Sequence, residues 1–208
     1  AGIELCCDLE MGVLQRRAKD KEEIAWLAEA QATTEGAMRM AWELVALADT
    51  DDEGGLVHER QPLTSERVRA AVDIWLLERG YMNPRSIVAG GPQAADCHDM
   101  GSGPLRSGQP VIIDIFPQNK KTLYNGDCTR TVVHGQVSEA VRAMHLAVVE
   151  ANQAAVAGVA GNKRIHPMAL AATLGQAMPD DAIYVGQTIT HRGVLLRHLG
   201  NRGAQSYF

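Results

Sequence analysis

A chain of 208 residues, 46% hydrophobic and 22% charged, has the composition of an ordinary globular protein. It is long enough to bury one full core, or one domain and part of another. The formal net charge of −5 and the scattered lysines and arginines exclude an extended basic surface for nucleic acid. No apolar run approaches the ~18 residues of a transmembrane helix, so we expect no membrane partner either.

The four cysteines limit the redox chemistry of the chain; they are Cys6, Cys7, Cys97 and Cys128. Adjacent cysteines do not bridge to each other without strain, and the sequence contains no CxxC pair. We therefore expect neither a disulfide framework nor a structural zinc site, and we expect reduced thiols in a cytoplasmic protein. No signal-peptide pattern is visible. Because the chain starts at Ala1 rather than Met, we expect a fragment or a processed product.

The first part of the chain predicts a long helix between two irregular segments. Residues 1–18 are mixed in character and predict a linker or connecting strand. Asp20 and Glu23 form a capping-box pattern, and the apolar residues after them recur at helical spacing. This pattern predicts a helix over 20–48. The acidic, glycine-containing segment 49–62 predicts a loop.

A second helix and a change to strands follow. Thr64 is a typical N-cap, and the apolar stripe after it predicts a helix that Gly80 ends. Residues 86–89 predict a short strand, and residues 93–108, rich in glycine and polar groups, predict a loop.

Two segments rich in β-branched residues then predict a hairpin. The strands span 110–116 and 122–134, with the turn near Lys120 and Lys121, and the apolar pattern of 138–156 predicts a helix after them. This mixture of helices and antiparallel strands indicates an α+β fold.

The predicted hairpin places two carboxylates opposite each other. With the turn near Lys120 and Lys121, Asp114 pairs with Asp127, and directly opposed residues point to the same face with Cβ atoms ~4.5–5.5 Å apart. Carboxylates this close repel each other unless a positive charge lies between them, and two divalent cations would supply it. The alternative is that both are hydrogen-bonded turn or edge residues, and a different register would separate them.

The residues around these carboxylates resemble a known enzyme family. Asp114–Ile115 and the later run Asn125–Gly126–Asp127–Cys128–Thr129–Arg130–Thr131 are similar to the metal hairpin of the pita-bread metallopeptidases, which include aminopeptidase P, prolidase and creatinase. The resemblance implies that Asp114 and Asp127 are metal ligands. It also implies two divalent metal ions, of manganese, cobalt or zinc, as cofactors.

The resemblance extends upstream and covers about 14–158. Residues 86–95 look like the family's strand and Gly-Pro-x-Ala turn, and His98 then matches the histidine that contacts substrate near the metals. The implied fold is a partial pita-bread fold with a short α/β C-terminal segment. The implied domains are 1–18 as a linker or remnant of a preceding N-terminal domain, 19–160 as a partial catalytic domain, and 161–208 as a tail of uncertain origin.

Some features depart from the family pattern. The two aspartates lie slightly further apart than usual, and Phe116 replaces a common glycine. The family completes its site with a His-Gly-x-Gly histidine and two later glutamates, whereas the glutamates after Gly135 are Glu139 and Glu150, both on the predicted helix. Three of the five expected ligands are therefore not found, and we expect weak or absent peptidase activity.

The last residues resemble a different family. After a break near Asn162, the run from His166 to Val185 and the segment from Leu195 to Phe208 look like the start of a thiamine-diphosphate cofactor domain. The diphosphate-binding motif itself does not occur, so this resemblance implies a fused fragment without that chemistry. The alternative is that 163–208 is a divergent pita-bread C-terminal part.

The function implied by the resemblance is metal-dependent hydrolysis of an N-terminal peptide bond, in peptides that include those with proline. A catalytically dead peptide-binding module of the same fold is an alternative, as is a fragment of a thiamine-diphosphate enzyme. The sequence leaves open whether the protein forms a homodimer. Among the remaining residues, Arg130 is expected to pair with a carboxylate, Cys128 to be a packed thiol, and His134 to be structural or solvated.

Overall fold

The computed structural model describes residues 12–161. The tail elements predicted from the sequence, and the thiamine-diphosphate resemblance of residues 163–208, lie outside the described residues. Most of the N-terminal segment predicted as a linker lies outside as well. Its last residues differ from that prediction, because Val13–Arg17 forms a short helix, α1.

Helix α2, Lys21–Ala46, confirms the predicted long helix and its capping box. Asp20 Oδ1 accepts hydrogen bonds from the backbone N–H groups of Glu22 and Glu23, both 2.9 Å long. The Glu23 carboxylate accepts in turn from the Asp20 N–H at 2.9 Å, so two N–H groups at the helix start are satisfied reciprocally. One face of the helix is buried, formed by Ala30, Thr34, Ala37, Met38, Ala41 and Val45.

The segment predicted as a loop over 49–62 contains a small antiparallel sheet instead. Its strands, in spatial order, are β1 (Asp49–Thr50), β2 (Leu56–His58) and β3 (Gln61–Pro62). Strands of two or three residues are too short to show an alternating pattern, so the prediction was wrong here.

Helix α3, Ser65–Glu78, packs beside α2. Thr64 is the N-cap as predicted, with its hydroxyl oxygen accepting from the Arg67 N–H at 3.2 Å. Gly80 follows the helix with φ of +80°, a conformation that ends helices and favours glycine. The apolar side of α3 is fully buried through Val68, Val72 and Leu76.

The main sheet has three antiparallel strands with β6 in the centre. They are β5 (Ile87–Gly90), β6 (Pro110–Ile115) and β8 (Cys128–Val133), in the order β5-β6-β8. The short strands β4 (Tyr81–Met82) and β7 (Gln118–Asn119) pair with each other. On β6, Val111, Ile113 and Ile115 are buried and join the core of α2 and α3.

The register between β6 and β8 differs from the predicted one by two residues. Asp114 pairs with Thr129, not with Asp127. The predicted strand over 122–134 is wrong in its first half, because residues 122–127 belong to a long turn in which Leu123 has φ of +62°. A two-residue shift keeps side chains on the same face, since successive residues of a strand alternate.

Helix α4, Glu139–Gly161, confirms the predicted helix and extends it. Ser138 caps its start, with the hydroxyl oxygen accepting from the Val141 N–H at 3.3 Å. None of the helices in residues 12–161 is both long and apolar enough to cross a membrane.

The turn before β8 rests directly on helix α2. A Cβ atom added to Gly126 would overlap the Thr34 hydroxyl oxygen and lie 2.5 Å from the Ala30 carbonyl oxygen. The Thr34 hydroxyl donates to the Ala30 carbonyl at 2.8 Å. Neither this hydroxyl nor the helix backbone can move aside without breaking a hydrogen bond. Only glycine fits at this contact.

We predict that Gly126→Ala lowers the free energy of unfolding by about 1–3 kcal/mol, because the added methyl over-packs the contact with α2. Urea denaturation followed by circular dichroism measures the change. Asn125→Ala is the matched control, since Asn125 is exposed in the same turn, and it should stay within about 0.5 kcal/mol of the parent. Equal stability of the two variants would show that the turn does not rest on the helix.

Candidate metal centre

The outward face of the main sheet carries a cavity of about 290 Å³ beside Asp114. The apolar side chains of Ile87, Ala89 and Ile112 come from β5 and β6 and form part of its lining. The loop after β5 contributes Asp96 and Cys97, and β8 contributes Thr129, so the cavity joins three strands and one loop. A carboxylate on this otherwise apolar strand therefore faces a concave space and not the core.

Asp114 is oriented by its cross-strand partner. The Thr129 hydroxyl donates a hydrogen bond of 2.5 Å to Asp114 Oδ1. Thr129 lies directly opposite Asp114 in the register, which explains why the two side chains meet. This bond restricts the rotation of the carboxylate and fixes where its oxygens point.

Asp127 immediately precedes β8 and lies two residues before Thr129, the cross-strand partner of Asp114. The neighbouring Cys128 is opposite Ile115 and buried with it, so alternation directs Asp127 outward, and Asp127 is exposed. Helix α2 fixes the backbone here, because Gln31 Oε1 accepts from the Asp127 N–H at 3.2 Å. Diagonal neighbours of an antiparallel pair are ~7–8 Å apart, close enough for carboxylates to share a pair of cations ~3.5–4 Å apart.

These two carboxylates fit the ligand chemistry of hard divalent cations. Such cations prefer oxygen donors, and Asp114 and Asp127 present carboxylate oxygens from a hairpin that the core holds in place. The predicted direct pairing of Asp114 with Asp127 was wrong, and their shared face stays a prediction. Their role as metal ligands stays a prediction.

His98 lies on the loop after the 3-10 helix Gly91–Ala95. Its side chain is exposed, and its backbone N–H donates to Asp96 Oδ1 at 2.8 Å. The two residues before it, Asp96 and Cys97, line the cavity that Asp114 lines. His98 is therefore close in sequence to the cavity wall, and the substrate contact implied by the resemblance stays a prediction.

The loop that carries His98 is anchored to the sheet at Gly101. Gly101 has φ of +75°, and a Cβ atom there would lie 2.6 Å from the Val88 carbonyl carbon. The Met100 carbonyl accepts from the Val88 N–H at 3.1 Å, and the Arg69 guanidinium donates to the Gly101 carbonyl at 2.8 Å. This end of the loop is consequently fixed to both β5 and α3.

Three further predictions can be compared with the structure. Cys128 is buried as predicted, and burial raises the pKa of its thiol. His134 has the structural one of its two expected roles, with its ring nitrogens 3.0 Å from the Ser107 hydroxyl and the Ala48 carbonyl. The prediction for Arg130 was wrong, because its guanidinium donates to the Thr129 carbonyl at 2.8 Å and forms no ion pair with a carboxylate within residues 12–161.

The prediction from sequence missed two residues that hold the carboxylates in place. Thr129 contacts Asp114 only in the observed register, so the wrong register concealed it. Gln31 is far from Asp127 in sequence, and a single glutamine on a helix gives no indication of a contact with a distant turn.

A hydrogen bond ties the tip of the turn to the start of α2. The Tyr124 hydroxyl donates to the Glu23 carboxylate, and the Tyr124 ring lies 5.7 Å from the Trp26 ring. The bond to Glu23 raises the pKa of Tyr124 to about 12 and lowers the pKa of Glu23 below its ordinary value of 4.5. The turn that leads to Asp127 is thus held at its tip, as well as at Gly126.

With this geometry in view, comparison with known proteins shows the family. The model of metallopeptidase family M24 matches residues 25–177, more than half of the chain. The chain belongs to metallopeptidase family M24. Members of this family use divalent metals. No curated protein sequence matches the chain.

Solved structures show that the fold is a partial pita-bread fold. The X-Pro aminopeptidase of Thermotoga maritima matches with a TM-score of 0.60 and 21% identity, over 81% of this chain and 44% of that one. The prolidase of Pyrococcus furiosus matches with a TM-score of 0.60 and 24% identity, over 81% of this chain and 46% of that one. Aminopeptidase PepP of Pseudomonas aeruginosa matches with a TM-score of 0.62 and 22% identity, over 81% of this chain and 36% of that one. The chain therefore spans less than half the length of each of these relatives.

The family match also bears on the predicted boundary of the tail. It ends at residue 177, whereas the sequence predicted a separate tail from residue 161. The thiamine-diphosphate resemblance of that tail is not confirmed, and the domain division stays a prediction.

We predict that Glu23→Gln moves the pKa of Tyr124 from about 12 back towards the ordinary 10.0, because the charged acceptor is lost. NMR of tyrosine labelled with ¹³C at the ring, titrated with pH, measures the shift, with Tyr124→Phe assigning the signal. Glu22→Gln is the control, since Glu22 lies in the same helical turn without a side-chain bond to Tyr124.

The same pair makes stability depend on pH in a defined direction. The folded-state pKa of Tyr124 is raised. Its contribution to the stability of the fold is therefore complete below about pH 10 and is lost as the pH rises towards about 12. The pKa of Glu23 is lowered, so its contribution is present above pH 4.5 and is lost as the pH falls through the lowered value. An unchanged pKa of Tyr124 in the Glu23→Gln variant would contradict the hydrogen bond between Tyr124 of the turn and Glu23 of helix α2.

Proposed function

We propose that this chain supplies the Asp114 and Asp127 part of a two-metal centre in an aminopeptidase-type hydrolase. The observation that supports the proposal most directly is that Asp114 lines a cavity and accepts a hydrogen bond from Thr129, while Asp127 lies two residues before Thr129 in the same chain segment. The proposed substrates are peptides, including those with proline, in keeping with the names of the X-Pro aminopeptidase and prolidase that share the fold.

The residues of the chain would hold the reacting groups in place. When bound, a pair of divalent cations polarises the scissile carbonyl and lowers the pKa of a water molecule to give a hydroxide nucleophile. Asp114 and Asp127 would be ligands, and the Thr129 hydroxyl keeps the Asp114 carboxylate oriented towards them. Gln31 fixes the backbone at Asp127 from helix α2, which sets the spacing between the ligands.

His98 is the proposed substrate contact. It follows two cavity-lining residues on a loop that is fixed to β5 and α3 at Gly101. An imidazole at that position would donate to the substrate carbonyl or to the tetrahedral intermediate. We assign no general base, because the glutamate expected for that role does not occur at a matching position.

We further propose that these 208 residues alone bind metal weakly and hydrolyse peptides slowly or not at all. Two carboxylates provide fewer ligands than hard divalent cations take, which is about six for Mg²⁺-like ions. In two-metal hydrolases both ions stabilise the attacking and leaving atoms, so a site that binds metal weakly would also hydrolyse peptides slowly. The remaining coordination positions of each metal ion would then be filled by water or by ligands from outside these residues.

We predict that Asp114→Asn and Asp127→Asn each weaken Mn²⁺ binding by at least about tenfold, because each removes a charged oxygen ligand. Isothermal titration calorimetry of the full chain measures the affinity, and circular dichroism checks the fold. Asp52→Asn is the matched control, as Asp52 is an exposed aspartate in the turn after β1, and it should leave the affinity unchanged. Parent-like Mn²⁺ affinity in both site variants would refute the proposed ligands.

Hydrolysis of a proline-containing peptide in the presence of Mn²⁺ tests the activity itself. We expect little or no turnover by the parent chain. Two tightly bound metal ions with efficient turnover would contradict the proposal of an incomplete site. Peptide binding that is insensitive to metal and to both aspartate substitutions would instead favour a catalytically dead peptide-binding module.

We predict that Thr129→Val weakens Mn²⁺ binding by about 10–100-fold, because groups that orient a metal ligand have effects of this size. Thr131→Val is the matched control, since it makes the same change two residues along the same exposed face of β8. Mn²⁺ titration of both variants gives the comparison. Equal affinities would show that the 2.5 Å bond to Asp114 does not contribute to metal binding.

A further inference from the structure

The loop beside the cavity contains a second cluster of metal-binding groups. Asp96, Cys97 and His98 each direct one ligand atom to a common region, and these atoms all lie within 4.8 Å of one another. All three side chains are exposed. The set combines a thiol, an imidazole and a carboxylate, so its chemistry differs from the oxygen-only pair of Asp114 and Asp127.

The spacing of these atoms is close to that of a bound zinc ion. Zinc takes sulfur at ~2.3 Å and nitrogen or oxygen at ~2.0–2.2 Å in a tetrahedron, which places ligand atoms about 3.3–3.8 Å apart. Cys97 Sγ and His98 Nδ1 are 4.0 Å apart in the structure. Side-chain rotations that move the ligand atoms by about one ångström or less would therefore bring all three within bonding distance of one ion.

The backbone of the cluster is already held in place. The Asp96 N–H donates to the Gln93 carbonyl and the Asp99 N–H to the Asp96 carbonyl, both at 3.2 Å. The His98 N–H donates to Asp96 Oδ1 at 2.8 Å, which leaves the second carboxylate oxygen to act as a ligand. Binding would consequently order three side chains and not the loop itself, which keeps the entropic cost small.

We propose that Asp96, Cys97 and His98 bind one thiophilic divalent cation of the zinc class. Three protein ligands would leave the fourth position of a tetrahedral zinc ion open to a water molecule, and two of the three, Asp96 and Cys97, also line the cavity. Soft thiolate and imidazole donors select zinc over manganese or magnesium. Binding breaks the Cys97 S–H bond, the sulfur lone pair forms the bond to the metal, and the proton passes to solvent.

A cation at this site would affect access to Asp114. Asp96 and Cys97 share a wall of the cavity with Asp114 and Thr129, so an ion with its water occupies space in front of the sheet. Excess zinc would therefore compete with peptide for the cavity. This consequence rests on the proposed peptidase function, whereas the zinc site itself does not.

The principal test uses Co²⁺ as a spectroscopic substitute for Zn²⁺ in the full, reduced chain with Cys6→Ser and Cys7→Ser. A cobalt–thiolate bond gives charge-transfer absorption in the near ultraviolet. We expect this absorption at one equivalent of Co²⁺, its loss in Cys97→Ser, and its retention in Cys128→Ser, the matched control at a buried thiol. Absence of the absorption in the parent, or its survival in Cys97→Ser, would overturn the proposal.

The same titration separates the two metal proposals. The double variant Asp114→Asn/Asp127→Asn should keep the cobalt–thiolate absorption while losing Mn²⁺ affinity. Loss of the thiolate absorption in that variant, with the fold intact by circular dichroism, would show that no separate site exists. Intact thiolate absorption with unchanged Mn²⁺ affinity would refute only the Asp114 and Asp127 ligands.

A second measurement tests whether the three residues act together. One equivalent of Zn²⁺ should protect Cys97 from alkylation by iodoacetamide, as read by mass spectrometry, and a chelator should restore the reaction. Protection should fall by at least about tenfold in His98→Gln and in Asp96→Asn, because each removes a ligand. Full protection in both variants would mean that zinc binds the thiol alone, which would refute the three-ligand site.

Discussion

The contact between the turn before β8 and helix α2 determines where the metal hairpin sits. Gly126 lies against the Ala30 carbonyl and the Thr34 hydroxyl so closely that no side chain fits between them. On either side of this contact, Tyr124 bonds to Glu23 and the Asp127 N–H bonds to Gln31. The helix therefore holds the turn at three levels, and Asp127 takes its position from a helix that carries no reactive group.

Local patterns in the sequence were sufficient to predict helices α2, α3 and α4 and strands β5 and β6. The Asp20 capping box and the Thr64 N-cap act within one turn of helix, so they can be recognised without the rest of the fold. The strands of two or three residues in 49–62 were missed because they are too short to show an alternating pattern and are defined only by their pairing with one another. The pairing of Gln118–Asn119 with β4 is of the same kind, and it lengthens the turn between β6 and β8.

The candidate site was predictable only where it depends on local sequence patterns. The predicted pairing of Asp114 with Asp127 failed because the turn is longer than the sequence suggests, whereas a shift of two residues leaves the predicted alternation of faces unchanged. The Thr129 bond and the cluster at Asp96 both depend on side-chain geometry that a pattern of residue types does not contain. The family model and the fold agree with the resemblance carried by residues 86–135, the region where its motifs are most specific.

Strand β6 serves the core and the cavity with alternate residues. Val111, Ile113 and Ile115 are buried against the helices, while Asp114 between them faces the cavity. A ligand held by Asp114 is consequently bonded to the central strand of the sheet, so unfolding that strand must release it. By mass action such a ligand raises the stability of the folded chain as its concentration exceeds the dissociation constant. Occupancy of the site and resistance to unfolding are therefore thermodynamically linked, and a thermal shift would report binding even where no catalysis occurs.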